Sequence, residues 1–333
     1  MKKAENLSEM LSKLESYRNF ISDEIANTEF PSTPSKLYEP LRYILGLGGK
    51  RMRPILSMMA CELFSGEYQD AKNAAMGVEI FHNFTLIHDD IMDEAPLRRG
   101  KETVHKKWNE RVGILSGDAL MIESYKRLGT YRPEILPRLL KLYNITAIEV
   151  CEGQQMDMDF EKSDHVSIED YLRMIRLKTA VLLGCSLKLG AIVGGASEKE
   201  AQDLYDFGAN LGIAFQLQDD ILDVYADQNK FGKQVGGDII ANKKTYLLLT
   251  ALDTANADQL KRLQKLLFDE TDKEKKVRGV KEIYAELNIR KKAEQQMEIF
   301  YHTALQNLDA IQVETSKKEP LRNIAAFLLS RES

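Results

Sequence analysis

The sequence predicts an all-α protein, and three observations predict it. All eight prolines lie before Arg138 or after Glu319, so more than half of the 333 residues carry none. Proline breaks helix interiors, so that long stretch is open to extended helices. Small and apolar residues recur at helical spacing, as at Ala74, Val78, Phe81, Thr85 and His88, and again at Tyr205, Ala209, Gly212 and Gln216. There is no run of alternating strands between turn signals, no fixed-period repeat and no low-complexity linker. One helical domain over residues 1–333 is the economical reading.

Taken from the N-terminus, the first segment (MKKAENLSEMLSKLESY) is charged and has no apolar core of a secretory signal. Hydrophobic residues make up 44% and charged residues 29%, the balance of an ordinary globular protein. A net charge of −5 leaves no basic footprint for nucleic acid. Cys61, Cys151 and Cys185 are scattered and read as reduced core residues. The most apolar stretch, Thr179 to Gly195, is too short for a membrane span and carries Lys188 in its middle. The expectation is a cytoplasmic chain with no membrane insertion. Asp269 to Lys292 keeps apolar residues at helical intervals among many charges, as a solvated outer helix does.

Several common chemistries are excluded. No GxGxxG follows a strand, no Gly-Lys pair precedes Ser or Thr, and neither HExxH nor GxSxG occurs.

Two acidic clusters dominate instead. Asp89-Asp90-Ile91-Met92-Asp93 and Asp219-Asp220-Ile221-Leu222-Asp223 each sit in an apolar helical stretch. Residues four apart share a helix face, so Asp89 with Asp93 and Asp219 with Asp223 form two carboxylate claws. Like charges so crowded destabilise a helix, and a hard dication resolves the repulsion. Oxygen-only ligands point to magnesium rather than zinc. One such motif could be an exposed acidic turn. Two, both wrapped in apolar residues, favour a site.

Basic residues supply the counterpart. Gly48-Gly49-Lys50-Arg51-Met52-Arg53-Pro54 places three cations beside a turn and a helix start, an anion site suited to diphosphate. Leu97-Arg98-Arg99-Gly100-Lys101 follows the first acidic motif closely. His82 lies two helical turns before Asp89 and shares its face; a lone histidine is usually a core residue, but this face favours ligand contact. Lys178-Thr179, Phe231-Gly232-Lys233 and Asn242-Lys243-Lys244-Thr245 recur around the second motif as a second diphosphate grip.

With these motifs in hand, the chain resembles the trans-isoprenyl diphosphate synthases, the polyprenyl synthetase family. GGKRxRP, DDxxD with RRG, GQxxD, KT, FQxxDD, FGK and NKxTY all occur in that order. The resemblance implies a helical bundle around a central cavity, a homodimer, and head-to-tail condensation of isopentenyl diphosphate with an allylic diphosphate. It implies that Lys50, Arg53, His82 and Arg99 bind isopentenyl diphosphate. Asp89, Asp93 and Asp219 would hold three magnesium ions, with Asp90, Asp220 and Asp223 in support. Arg98, Lys178, Lys233 and Lys243 would grip the allylic diphosphate. Thr179 and Gln216 would stabilise the allylic cation, Gln154 and Asp157 would back the site, and Arg331 would help close it. Glu102 stands where relatives often carry proline, which leaves the chemistry untouched.

The resemblance also bears on product length. Phe84 lies five residues before Asp89, about 7.5 Å back along the helix axis. It is the first bulky ring below the metals; Thr85 beside it is small, and Phe81 lies one turn deeper. Relatives with two aromatics at this level tend to stop at farnesyl. A C15–C20 product follows, geranylgeranyl ahead of farnesyl, although Phe84 also suits plain core packing. Terpene cyclases and squalene-type synthases share one DDxxD but not this second motif or the isopentenyl-site residues. A non-catalytic subunit would have lost one aspartate motif. A ligand-free helical scaffold would need neither.

Overall fold

The computed structural model describes residues 2–163, 165–226 and 236–329, with side chains from Ser12 onward. Lys233 and Arg331 therefore lie outside the described residues. The chain divides into two compact units, one built from the segments up to Asn144, Cys185–Tyr205 and Gln312–Leu321, the other from Ile145–Gly184, Asp206–Ile311 and the residues from Arg322.

In the first unit, α1 (Lys2–Ala26), α2 (Ser35–Gly46), α3 (Met52–Ser65) and α4 (Lys72–Met92) precede a small hairpin. The hairpin, β1 (Leu97–Arg98) with β2 (Lys101–Glu102), is the one strand pairing among the described residues. Then come α5 (Val104–Lys107) and α6 (Glu110–Leu128). Helix α4 is buried almost all round from Ala74 to Ile87, the polar Glu79 and Asn83 included. It packs along α6 and against α3. Helix α3 starts at Met52 with Pro54 in its first turn, where a missing N–H costs nothing.

Helices α7 (Leu136–Lys162), α9 (Val181–Gly194) and α10 (Glu198–Tyr225) each run from one unit into the other. The second unit adds α8 (Ile168–Ile175), α11 (Gly237–Ile240), α12 (Tyr246–Thr254), α13 (Ala257–Phe268), α14 (Lys273–Glu286) and α15 (Ile289–Ala310); α16 (Thr315–Leu329) ends the described chain. Ser167 and Asp170 form a reciprocal capping box that starts α8. The core of this unit brings together Tyr171, Ile175, Leu217, Ile221, Leu247 and Ile283.

The helical run Ile168–Gly194 is long and apolar enough to cross a membrane, but 78% of its most apolar window is buried inside the chain. It is a core helix. At Arg176–Ala180, the RLKTA segment, it opens into a single π turn, the kind of irregularity that often marks a functional position.

The expected outer helix over Asp269–Lys292 is instead parts of two helices, broken where Asn288 takes a left-handed conformation (φ 54°). Its charges are mostly exposed, yet Lys276 is buried. Periodicity could not show the break, because apolar residues continue on both sides of it, from Ile283 and Leu287 to Ile289 and Ala293; asparagine is a residue type that takes the left-handed conformation found there. Cys61 and Cys185 are buried as expected; Cys151, on α7, is exposed.

Gly153 on α7 lets that helix press against the π turn. A Cβ there would fall 2.2 Å from the Lys178 amide nitrogen and 2.6 Å from its Cα. Both obstacles are backbone, so no side chain can move aside. Gly153→Ala is expected to destabilise the protein by about 1–3 kcal/mol, seen as a lower urea midpoint at unchanged m-value.

Candidate active site

In the first unit the site is built on α4. The first aspartate motif occupies the last turn of this helix, with Asp93 as the residue that caps it. The Asp93 amide still donates to the Asp89 carbonyl at 2.8 Å, which keeps the two residues on one turn. Asp90 points inward and is 1% exposed. Arg98 clamps it: Nε lies 2.8 and 2.9 Å from its two carboxylate oxygens, and Nη2 lies 2.7 Å from Oδ1.

Arg98 and Arg99 reach α4 on the β1–β2 hairpin. Its turn residues, Arg99 and Gly100, both have positive φ, 53° and 75°. A two-residue hairpin needs such a turn, normally filled by asparagine and glycine. Arginine there carries strain of about 1–3 kcal/mol, tolerated only where surrounding contacts hold it. Those contacts are present. Arg99 Nη1 donates to the Gly48 carbonyl, and the Tyr43 hydroxyl donates to the Glu102 carbonyl at 2.8 Å. The GGKRMRP segment and the RRG hairpin therefore meet.

Within GGKRMRP the three cations separate. Arg51, also at positive φ (52°), turns inward to a buried ion pair with Glu79 at 2.5 Å and donates to the Leu45 carbonyl at 2.7 Å. Lys50 is exposed. Arg53 Nη1 donates to His82 Nε2 at 3.2 Å, while its buried Nε has no hydrogen-bond partner. A guanidinium has only donors, so His82 Nε2 accepts and the ring proton sits on Nδ1. Burial, then Arg53, Arg99, Arg98 and Arg51 in turn, hold the His82 imidazole well below its ordinary range. Four arginines bear on one neutral histidine, and α4 carries that histidine two turns before Asp89. Arg51 and Arg98 already face the carboxylates of Glu79 and Asp90, so the charge of this cluster that is left for a ligand lies on Arg53 and Arg99.

Phe81, Phe84 and Thr85 lie on the same helix. The Phe84 ring meets Phe81 edge-on at 5.3 Å and His88 at 4.9 Å, and Phe81 meets Tyr143 at 5.4 Å. Both phenylalanines are buried; Thr85 is half-buried.

In the second unit, the second aspartate motif likewise lies in the last turns of its helix, α10, with Gln216 just before it. Asp220 is buried and accepts a hydrogen bond from the Tyr171 hydroxyl. Burial pushes its carboxyl up to about 7, against the opposing pull of Tyr171. Asp223 Oδ1 accepts from the Asp238 amide at 2.9 Å. In the π turn, Lys178 Nζ pairs with Asp157 at 2.5 Å and Thr179 is half-buried beside it. Of the neighbouring lysines, Lys244 donates to the Phe160 carbonyl at 2.5 Å, and Lys243 is exposed.

Both motifs thus stand at helix C-termini, where the backbone already presents about half a negative charge. Carboxylates are disfavoured there unless a cation joins them. Among the described residues no group of three His, Cys, Asp or Glu side chains is arranged to hold an ion alone. Each motif offers a partial set of oxygens. That fits magnesium, which keeps waters and takes substrate phosphate oxygens alongside one or two carboxylates.

The chain matches the family model for polyprenyl synthetases over residues 34–287. It belongs to the polyprenyl synthetase family. Among curated relatives of this polyprenyl synthetase, the short chain isoprenyl diphosphate synthase of Methanocaldococcus jannaschii is 40% identical over 249 residues, covering 74% of this chain and 76% of that one. The geranylgeranyl diphosphate synthase of Saccharolobus solfataricus is 38% identical over 304 residues, 89% of this chain and 90% of the relative. A crystal structure of a geranylgeranyl pyrophosphate synthase superposes with a TM-score of 0.91 at 44% identity, covering 96% of this chain and 99% of that one. The all-α expectation and the family resemblance read from the motifs are borne out.

The polyprenyl synthetase motifs hid several supporting residues. Glu79 backs Arg51, Tyr171 backs Asp220, and Asp238 ties down Asp223. Tyr171 stands seven residues before Lys178 and Glu79 three before His82, helical spacings that relate each to a motif residue but do not reveal a partner.

The histidine gives a pH test. An unfolded His82 titrates near 6.5; the folded one is held lower, so below that pH the unfolded chain binds more protons. Its contribution to stability is therefore fully present above about pH 6.5 and is lost as pH falls toward the folded value. Nitrogen-15 NMR of the imidazoles should show His82 as the neutral Nδ1–H tautomer throughout pH 6.5–8, with no titration shift. A charged His82 at pH 7 would contradict the arginine cluster.

Proposed function

We propose that this chain condenses isopentenyl diphosphate head to tail with an allylic diphosphate, giving a short-chain all-trans prenyl diphosphate of C15–C20. The observation that carries the reading is the contact of Arg53 with His82, on the helix that carries the first aspartate motif two turns further on. A site for an anionic second substrate is what a cyclase does not need. The intact Asp219–Asp223 motif points the same way.

The residues divide by role. Lys50, Arg53, His82 and Arg99 hold isopentenyl diphosphate through charge-assisted hydrogen bonds. Arg98, Lys178, Lys243 and, from the sequence alone, Lys233 take the allylic diphosphate. Asp89, Asp93 and Asp219 offer oxygens to magnesium, three ions by family resemblance, with Asp90, Asp220 and Asp223 behind them. Bound there, magnesium would neutralise the charge that builds on the departing diphosphate.

The chain's own groups do the rest. Lys178 and Lys243 stabilise the same developing charge. As the allylic C–O bond breaks, the Thr179 hydroxyl and the Gln216 amide oxygen turn their dipoles to the cation without bonding to it. The isopentenyl double bond attacks that carbon, and the proton then lost passes to the released diphosphate. Water must be kept out, since it would capture the cation.

The proposal takes residues 1–333 as one functional domain, cytoplasmic and homodimeric. Exposed Ile114, Leu115 and Ile122 on α6 support a covered apolar face in the assembly.

Incubation with dimethylallyl and isopentenyl diphosphates plus magnesium, followed by mass analysis, tests the activity directly. Asp89→Ala and Asp219→Ala should each cost about 10²-fold or more in turnover. Full activity of either variant in excess chelator would rule out the metal reading.

Phe84 is proposed as the floor that stops the growing tail. Phe84→Ala should lengthen the product while the first condensation keeps its rate. If the ring only packs, as its contacts with Phe81 and His88 also allow, the variant loses about 3–5 kcal/mol of stability and keeps its product profile. Product chromatography and a thermal melt on that variant separate the two outcomes.

A further inference from the structure

Helix α14 (KEKKVRGVKEIYAE) holds its basic residues in two different ways. Lys273, Lys275 and Arg278 are exposed, but Lys276 is only 6% exposed. No carboxylate pairs with it among the described residues. Its ammonium lies 3.1 Å from the Leu267 carbonyl and 3.3 Å from the Ile240 carbonyl. These carbonyls belong to the last turns of α13 and α11, where helices leave acceptors unmatched and the backbone is negative. Burying an ammonium without a counter-ion is costly, and burial alone draws this lysine below its ordinary range. Such a residue needs a reason that solubility does not supply.

The segment it touches offers one. Residues 236–245 lead from the second aspartate motif to Lys243, and the segment is tied at both ends. At its start, the Gly236 amide donates to the Asp223 carbonyl at 2.7 Å and the Asp238 amide to Asp223 Oδ1 at 2.9 Å. Gly236 has φ 82°, and a Cβ there would come within 2.9 Å of Val277, the neighbour of Lys276. At its end, Asn242 in the left-handed conformation donates through Nδ2 to the same Leu267 carbonyl at 3.0 Å. The Lys243 amide then donates to the Asp238 carbonyl at 2.9 Å. Two adjacent residues of α14 thus brace both ends of α11, and Lys243 follows directly.

We infer that Lys276 is a positioning residue: by tying Ile240 to Leu267 it fixes the backbone from which Lys243 reaches the allylic diphosphate. This rests on the assignment of Lys243 made above. It predicts a selective defect, because the residues given to isopentenyl diphosphate are carried by other elements.

The test uses Lys276→Met and Asn242→Gly in the full chain. Glycine keeps the left-handed backbone at no steric cost and removes only the side-chain tie. Lys276→Met should raise KM for the allylic diphosphate about tenfold, the scale of a lost charge-assisted hydrogen bond, and change that for isopentenyl diphosphate by less than about twofold. Asn242→Gly should shift the same constant in the same direction by about threefold, as for a neutral bond. Amide exchange should quicken at residues 240–245 and stay unchanged in α10. Equal shifts in both KM values, or exchange that quickens evenly through the unit, would overturn the inference and leave Lys276 as a plain stability residue. If the unmodified protein forms no prenyl product, the functional reading fails separately. Affinity for inorganic pyrophosphate with magnesium then decides: weakened binding in both variants upholds the positioning role, and unchanged binding overturns it.

Discussion

Charge intended for a ligand must be held in place without being consumed by the protein's own counter-charges, and the structure depends on this constraint throughout. Each motif commits one member to an internal partner. Arg51 goes to Glu79, Asp90 to Arg98, Asp220 to Tyr171 and Lys244 to the Phe160 carbonyl. Among these, Arg51–Glu79 is an ion pair buried on both sides, and such a pair adds little net stability but is costly to break, so it serves better as a strut than as glue. These struts set the direction of the residues beside them in sequence.

The second device is the helix end. Asp89–Asp93 and Asp219–Asp223 finish α4 and α10, so the carboxylates add to the negative pole of the backbone instead of cancelling it. The arrangement is unfavourable for the protein alone, and a cation shared between the carboxylates would offset it. Strain follows the same logic. Arg51 and Arg99 both sit at positive φ, a conformation arginine rarely takes, and both are held there by contacts made by their own guanidinium groups. Local preference has been given up at these two arginines, beside His82, as functional sites commonly require.

The motifs were legible because their chemistry is crowded into short spans. GGKRMRP, the two aspartate clusters and RLKTA each announced themselves within five to seven residues. The supporting partners did not. Glu79 lies 28 residues from Arg51, and Tyr171 lies 49 from Asp220; nothing in a glutamate or tyrosine on a helix says which distant charge it will meet. Lys276 was hidden more thoroughly, since it stands among exposed lysines and matches their spacing.

By itself, then, the sequence determined the helical class, the family and the residues that carry the charge, since proline placement, 3.6-residue periodicity and motif order are all local properties. Only the tertiary structure decided which charges turn inward. It sent Arg51 in beside an exposed Lys50, sent Asp90 in beside half-buried Asp89, and opened a π turn under Lys178 where Gly153 lets another backbone approach. The physical reason is that burial and pairing depend on contacts between segments far apart in the chain, and neither helix periodicity nor motif spacing encodes which of two adjacent like charges will find its partner.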